Sequence, residues 1–265
     1  MSFLLPAVVT AGGRLKPEVA AVTGTDIKAL APVGGVPLLV RVVRVLRACP
    51  DVGRIVVVGP KQELQRVACE AGADDVLEET PTGPGNVQAG LAHVRAEAGE
   101  HRVLLSASDV PFLTPDVLET FLGEAGRGTA GEADIVYPVI TRADYDKAFP
   151  HSPNTWAKLA GVEYTGGSVF MVRPAALERN RELIARVFEA RKSQRQMAAL
   201  LGWGLALRFA LGKLTVEAAE KRASELTGCR CVALRPADPR LAADVDTQAD
   251  YEYADQFAKQ KQGDV

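Results

Sequence analysis

The chain has 265 residues, 47% of them hydrophobic and 24% charged, which is enough apolar material to bury a substantial core. Lys and Arg number 31 against 33 Asp and Glu, so the net charge of −2 excludes the basic footprint of a nucleic-acid-binding protein. Four cysteines (Cys49, Cys69, Cys229, Cys231) are too few and too irregular for a disulfide framework; with no second Cys/His pair for zinc, packing is expected of all four.

The N-terminus enters a strand without a charged region and a cleavable apolar segment, which predicts a cytoplasmic protein. That strand, Phe3-Leu4-Leu5-Pro6-Ala7-Val8-Val9-Thr10, gives way to Ala11-Gly12-Gly13-Arg14. Missing side chains there let a ligand lie against bare backbone N–H groups, and Arg14 and Lys28 can add positive charge. After a predicted loop, Pro37–Cys49 places Leu38, Leu39, Val42, Val43 and Leu46 at helical spacing, with Arg41, Arg44 and Arg47 on the opposite, solvated stripe. Arg54–Gly59 reads as a buried strand, Gln62–Ala71 as a helix, and Val76-Leu77 as a short strand. A loop over Glu78–Gly85 then leads to a helix over Asn86–Ala98. Arg102–Ala107 is another buried strand, followed by Ser108-Asp109-Val110-Pro111 and a helix from Pro115 to about Glu124. Apolar runs of this length, separated by helices, imply a mostly parallel sheet covered on both faces.

The second half is less regular. Asp134–Ile140 and Gly167–Val172 read as strands, joined by a Pro- and polar-rich stretch around Phe149–Asn154. Helical sequence dominates 175–226, Cys231–Arg235 is a strand, and Asp244-Val245-Asp246-Thr247 precedes a closing helix from Ala249. No repeat or linker divides the chain, so a single domain over 1–265 with a helical insertion at 175–226 is expected. The stretch Met197–Leu214 is unusually apolar but is interrupted by Arg208 and Lys213 and falls short of a spanning helix. Buried core or a homodimer face is the first expectation for it, and contact with a lipid surface or a lipid-like substrate the minority one.

Three features carry chemistry. Lys28 lies just before the turn Gly34-Gly35-Val36-Pro37, where a lysine beside a glycine-lined phosphate site neutralises charge. Asp109 follows the strand Val103–Ala107, and a carboxylate at the carboxyl end of a central parallel strand can hold Mg²⁺ in the ligand crevice. Asp246 can complete that metal site from another strand, with Asp244 as its rival and capping of the closing helix as the plainer role.

In order, these residues resemble the nucleotidyltransferase family that includes molybdenum-cofactor guanylyl- and cytidylyltransferases and sugar-phosphate nucleotidylyltransferases. Thr10-Ala11-Gly12-Gly13 resembles the opening glycine signature. Lys28 with Pro32 and Gly34-Gly35-Val36-Pro37-Leu38-Leu39 resembles the lysine and the Gly-x-Pro-Leu turn. Pro81-Thr82-Gly83-Pro84-Gly85-Asn86 resembles the base-reading loop, with Gly83 and Asn86 at the base, and Ser108-Asp109-Val110-Pro111 the metal-binding aspartate motif. Glu163-Tyr164-Thr165-Gly166-Gly167-Ser168 resembles the acceptor segment, giving Thr165, Gly166 and Gly167 as acceptor residues with Lys158 nearby. Asp244-Val245-Asp246-Thr247 with Asp250 resembles the terminal metal motif. The sequence departs from the family where Arg14 directly follows Gly13 and fourteen residues separate Gly13 from Lys28, so Arg14 and Lys16 also stand as phosphate ligands. Tyr164 replaces the asparagine of many sugar-specific members.

The resemblance implies a Rossmann-like three-layer α/β/α sandwich with a mixed, mostly parallel sheet, of the nucleotide-diphospho-sugar transferase type, plus the helical extension. It implies transfer of NMP from an NTP to a small phosphorylated acceptor with release of pyrophosphate, Mg²⁺ on Asp109 and Asp246, nucleotide contacts from Ala11, Gly12 and Gly13, and catalysis by Lys28 or Arg14. Such chemistry needs positioning and charge neutralisation rather than a protein nucleophile, and an ionised acceptor phosphate needs no general base. Two other readings stand beside it: a nucleotide-sugar glycosyltransferase of similar fold, which uses an Asp-x-Asp metal motif, and a catalytically silent nucleotide-binding protein.

Overall fold

The computed structural model describes residues 4–99, 101–190, 196, 199–200 and 202–263. Phe3 of the opening motif, 191–195 of the helical extension, and Met197, Ala198 and Leu201 of the apolar stretch lie outside the described residues. The strands are β1 (Leu5–Thr10), β2 (Pro32–Val33), β3 (Val36–Pro37), β4 (Val52–Gly59), β5 (Asp75–Glu78) and β6 (Val103–Ala107) in the first half. β7 (Ile135–Thr141), β8 (Ala157–Leu159), β9 (Val162–Gly166), β10 (Val169–Val172) and β11 (Cys231–Leu234) follow. Among the described residues nine of them form one sheet in the order β5-β4-β1-β6-β10-β7-β9-β8, with β11 paired to β7 off that path. The run β5-β4-β1-β6 is parallel; β10 enters antiparallel between β6 and β7, which makes the sheet mixed.

The continuous apolar strands are buried on both faces, and their alternating residues enter two separate cores. Ala7, Val9, Ile55, Val57 and Leu104 meet the helices Leu38–Ala48 and Pro115–Ala125 on one side. Val8, Val56, Val58, Val103 and Leu105 meet Leu91 and Val94 of helix Gly83–Ala98 on the other. A strand period of two thus produces the three-layer, Rossmann-like fold. A third cluster seats Tyr251, Ala254 and Ala258 of the closing helix Gln248–Gly263 against Val19, Val33 and Leu38 near the N-terminus.

Several elements differ from the sequence reading. The predicted loop after β1 contains helix Pro17–Thr23, opened by Pro17 and ended by Gly24 at φ 74°. Helix Gly83–Ala98 starts three residues early because Thr82 caps it, its hydroxyl accepting from Gly85 N at 3.1 Å. Helix Arg142–Ala148, capped by Thr141, replaces part of the irregular stretch. The predicted strand Gly167–Val172 is shorter, since β10 begins at Val169: Gly167 N donates to Pro138 O of β7, while Ser168 N turns away to Leu241 O.

Packing does not account for all four cysteines. Cys49 and Cys229 are buried, Cys231 is half-buried, and Cys69 is exposed. The arginine stripe is not simply solvated either, since Arg41 donates to Val33 O and Arg47 to Gly53 O and Gly72 O. The buried-core expectation for the apolar stretch fails over its described helix Trp203–Ala210, which buries no residue; Trp203 is 80% and Leu207 61% exposed. No described helix is long and apolar enough to cross a membrane.

Candidate active site

The glycine turn and Lys28 are joined by backbone pairing across the interval that separates them in sequence. Leu15 N donates to Asp26 O at 2.8 Å and Lys28 N to Gly13 O at 3.1 Å, while helix Pro17–Thr23 fills the residues between. The Lys28 stem lies over Gly13, where a Cβ would stand 3.4 Å from Lys28 Cδ. Gly12 has a different requirement: a Cβ there would come within 2.5 Å of Asn86 Nδ2 and 2.6 Å of Glu79 Oε2. The bare backbone at Gly12 therefore admits protein side chains as well as any ligand. Ala11 is buried, its N–H given to Val58 O, and it does not line the pocket described below.

The acidic residues arrive from opposite ends of the chain. Asp109 lies two residues beyond β6, and its carbonyl accepts from Val245 N at 3.1 Å, which stitches the late Asp244–Asp246 segment beside it. Asp250 fixes the next turn by accepting from Asp246 N, Thr247 N and the Thr247 hydroxyl. Thr247 in turn accepts from Asp250 N, so the reciprocal cap belongs to Thr247 and Asp250 and leaves the Asp246 carboxylate unused by the helix. Lys28 Nζ donates to Asp109 Oδ2 and to Asp246 Oδ1, each at 2.5 Å. The two aspartates thus share one crevice. Burial of the Lys28 ammonium opposes its charge, but Asp109 and Asp246 outweigh that and hold its pKa above the ordinary lysine value.

Asp109 Oδ1 is buried with no hydrogen-bond partner among the described residues. Such an orphan in a crevice already organised around one cation is suited to a second. Among the described residues no group of three or more His, Cys, Asp or Glu forms a ready-made metal cage. Mg²⁺ commonly takes one or two carboxylates and completes its shell with water and substrate phosphates, so the pair fits it. Asp244, the rival ligand, is engaged by the Ser168 hydroxyl at 3.2 Å. Burial, with repulsion from Asp109 and Asp246, pushes its carboxyl up to about 7.

A cavity of about 290 Å³ joins these parts. Gly12, Gly13, Lys28, Gly83, Asn86 and Asp109 all line it, so most of the nucleotide and catalytic residues singled out by sequence come together. Asn86 is buried, and its Oδ1 accepts from Thr80 N at 2.6 Å, which turns Nδ2 toward Gly12. Of the three basic candidates only Lys28 lines the cavity. Arg14 is ion-paired with Glu79, whose hydrogen bond and charge raise the guanidinium pKa, and Lys16 is exposed at the start of helix Pro17–Thr23.

The acceptor residues stand apart from the cavity wall. Lys158 is exposed on β8 opposite Glu163, and Thr165 donates to Asn154 Oδ1 at 3.2 Å. Gly166 lies under the Tyr137 ring, and a Cβ on Gly167 would come 2.6 Å from Pro138 Cγ, so close packing requires both glycines. The segment still adjoins the site: Ser168 O accepts from Ala107 N at 2.9 Å, two residues before Asp109. Sequence reasoning missed Phe188, which lines the cavity from helix Arg181–Ala190 with its ring 3.0 Å from the Cβ position of Gly83. An apolar helical residue carries no signal of such a role. Glu79 was missed equally, since only the fold brings it to Gly12 and Arg14.

The three-layer fold is of the nucleotide-diphospho-sugar transferase type, with the crevice at the end of its central parallel strands. The MobA-like NTP transferase domain model matches residues 7–204, and the chain belongs to that family. It is similar to a hypothetical transferase from Thermus thermophilus, at 29% identity and TM-score 0.79 over 94% of this chain and 99% of that one. Its fold also matches a 4-diphosphocytidyl-2C-methyl-D-erythritol synthase at 14% identity, TM-score 0.57 and 97% and 99% coverage. A CMP:2-keto-3-deoxy-manno-octonic acid synthetase complexed with CTP matches at 12% identity, TM-score 0.55 and full coverage of both chains. No curated protein matches the chain in sequence.

Proposed function

We propose that this protein transfers a nucleoside monophosphate from an NTP to a phosphorylated acceptor, with Mg²⁺ as cofactor and pyrophosphate as the second product. The observation that carries the reading is the convergence of Lys28, Asp109 and Asp246 at a glycine-lined cavity in a member of the NTP transferase family. An acceptor phosphate oxygen forms a bond to the α-phosphorus; the bond from that phosphorus to the bridging oxygen breaks, and pyrophosphate leaves with the electron pair. Gly12 and Gly13 give the triphosphate access to main chain, and Lys28 neutralises charge at the α-phosphate as the five-coordinate arrangement forms. Asp109 and Asp246 would hold Mg²⁺, which supplies charge neutralisation to the phosphates when bound. Asp250 acts as a positioning residue by fixing the backbone at Asp246.

Glycosyl transfer through Asp244-Val245-Asp246 has weaker support, because Asp244 is turned to Ser168 while Asp246 is turned to Lys28. The test is a thermal-shift screen of the four NTPs with Mg²⁺, followed by pyrophosphate release with the NTP that stabilises most. Asp109→Asn keeps the side-chain shape and removes its charge. It should abolish Mg²⁺-dependent pyrophosphate release while the protein stays folded by circular dichroism; retained turnover would refute the assignment.

A further inference from the structure

A second cavity, of about 460 Å³, lies between the sheet and the helical extension. Its walls are β7, β11, helix Arg181–Ala190 and helix Val216–Thr227, represented by Ile135, Val139, Ile184, Val187, Ala223 and Val232. The lining is almost entirely hydrocarbon. Among the described lining residues the one charged is Glu220, which accepts from Ala233 N at 2.8 Å and is thereby turned to the sheet edge. Val216, Ala219, Ala223 and Leu226 recur at helical spacing, so the apolar face of that helix borders an open apolar groove in which Tyr137 is 41% and Val187 39% exposed. For scale, a dry apolar cavity of roughly 150 Å³ accommodates benzene. Three times that volume suits a hydrocarbon group of roughly ten to fifteen carbons.

The cavity shares structural elements at two places with the crevice that holds Lys28 and Asp109. Val187 lines it while the adjacent Phe188 lines the nucleotide cavity, so one helix forms a wall of both. Tyr137 lines it as well, with its hydroxyl over Gly166, and the chain from Gly166 runs to Ser168, which contacts Asp244 and Ala107. An acceptor bridging the two would place its phosphate toward Lys28 and Asp109 and its other end against the hydrocarbon walls.

We propose that the acceptor is an amphiphile, a monophosphate ester whose alkyl or isoprenoid group occupies the cavity between β7, β11 and the two helices. This rests on the nucleotidyl-transfer reading: the ester's phosphate oxygen forms the new bond to the α-phosphorus and pyrophosphate departs. The probe is decyl phosphate below its micellar concentration, compared with inorganic phosphate and glucose 1-phosphate, on the full chain with Mg²⁺ and the NTP identified by thermal shift. Decyl phosphate should raise the melting temperature and support pyrophosphate release at a KM at least tenfold below that of glucose 1-phosphate. Ala223→Phe and, independently, Ala219→Leu fill the cavity from the helix and should raise the KM for decyl phosphate tenfold or more while the NTP-induced thermal shift persists. An NTP shift with no preference for decyl phosphate over glucose 1-phosphate in the wild-type chain overturns the inference and leaves nucleotidyl transfer standing. Absence of any NTP shift instead overturns the nucleotidyl-transfer reading itself, whatever decyl phosphate does. A wild-type dimer that Ala223→Phe converts to monomer, by light scattering, would assign the cavity to a second copy of the chain and overturn the inference.

Discussion

Replacing Lys28 by Met removes the ammonium and keeps most of the stem that covers Gly13. The two ion pairs it breaks are unequal. Lys28 and Asp109 side chains are only 12% and 11% exposed, whereas Asp246 is 70% exposed. An exposed pair contributes about 0–1 kcal/mol, while stranding one partner of a buried pair costs about 3–5 kcal/mol. The Asp109 term dominates, so Lys28→Met should lose about 3–5 kcal/mol in metal-free urea unfolding at pH 8 and Asp246→Asn less than about 1 kcal/mol. Mg²⁺ should reduce the Lys28→Met deficit by returning positive charge to Asp109. In turnover, removal of one group aimed at developing charge costs on the order of 10²–10³ in kcat, with a smaller change in NTP affinity. A variant within 1 kcal/mol of wild type at pH 8, or within threefold in kcat, would refute the reasoning.

Gly12→Val places a branched side chain where Asn86 and Glu79 already stand, so it should displace the Asn86 amide and abolish the NTP-induced thermal shift; a normal shift would remove Gly12 from the site. Gly90→Ala tests the fold instead: a Cβ there would collide with Val8 on β1, and overpacking should cost about 1–3 kcal/mol in urea unfolding. Asp244, with its carboxyl raised to about 7, favours the folded state most below the unfolded value near 4 and loses that contribution as pH climbs toward 7. In metal-free protein Asp244→Asn should flatten the fall in stability across that window, a difference on the order of 4 kcal/mol, read from melting temperatures at pH 4 to 8.

The sequence alone carried the central layers and the order of the motifs. Short, largely β-branched apolar runs such as Ile55–Val58, and the run Val103–Leu105 between two helical segments, point to strands covered on both sides, and that signal is local to each segment. The glycine turn, Lys28, Asp109 and Asp246 were legible for a related reason, since bare backbone, a cation and carboxylates at strand ends suit a triphosphate and its metal. Tertiary structure decided which of Arg14, Lys16 and Lys28 reaches the cavity, because backbone pairing of Gly13 and Leu15 with Lys28 and Asp26 turns one inward and Glu79 holds another outside. It also decided that Asp246 meets Asp109, through the Val245 N–H given to Asp109 O, and that Phe188 enters the nucleotide cavity. No spacing rule predicts such encounters, since each depends on where a sheet edge and a distant segment meet. The apolar stretch shows the same limit: its composition suggested a core, yet Trp203 and Leu207 face outward while the void beside the sheet is lined by helices on either side of it in sequence. Composition fixes how much apolar surface a segment has, and only the packing of the whole chain fixes what covers it.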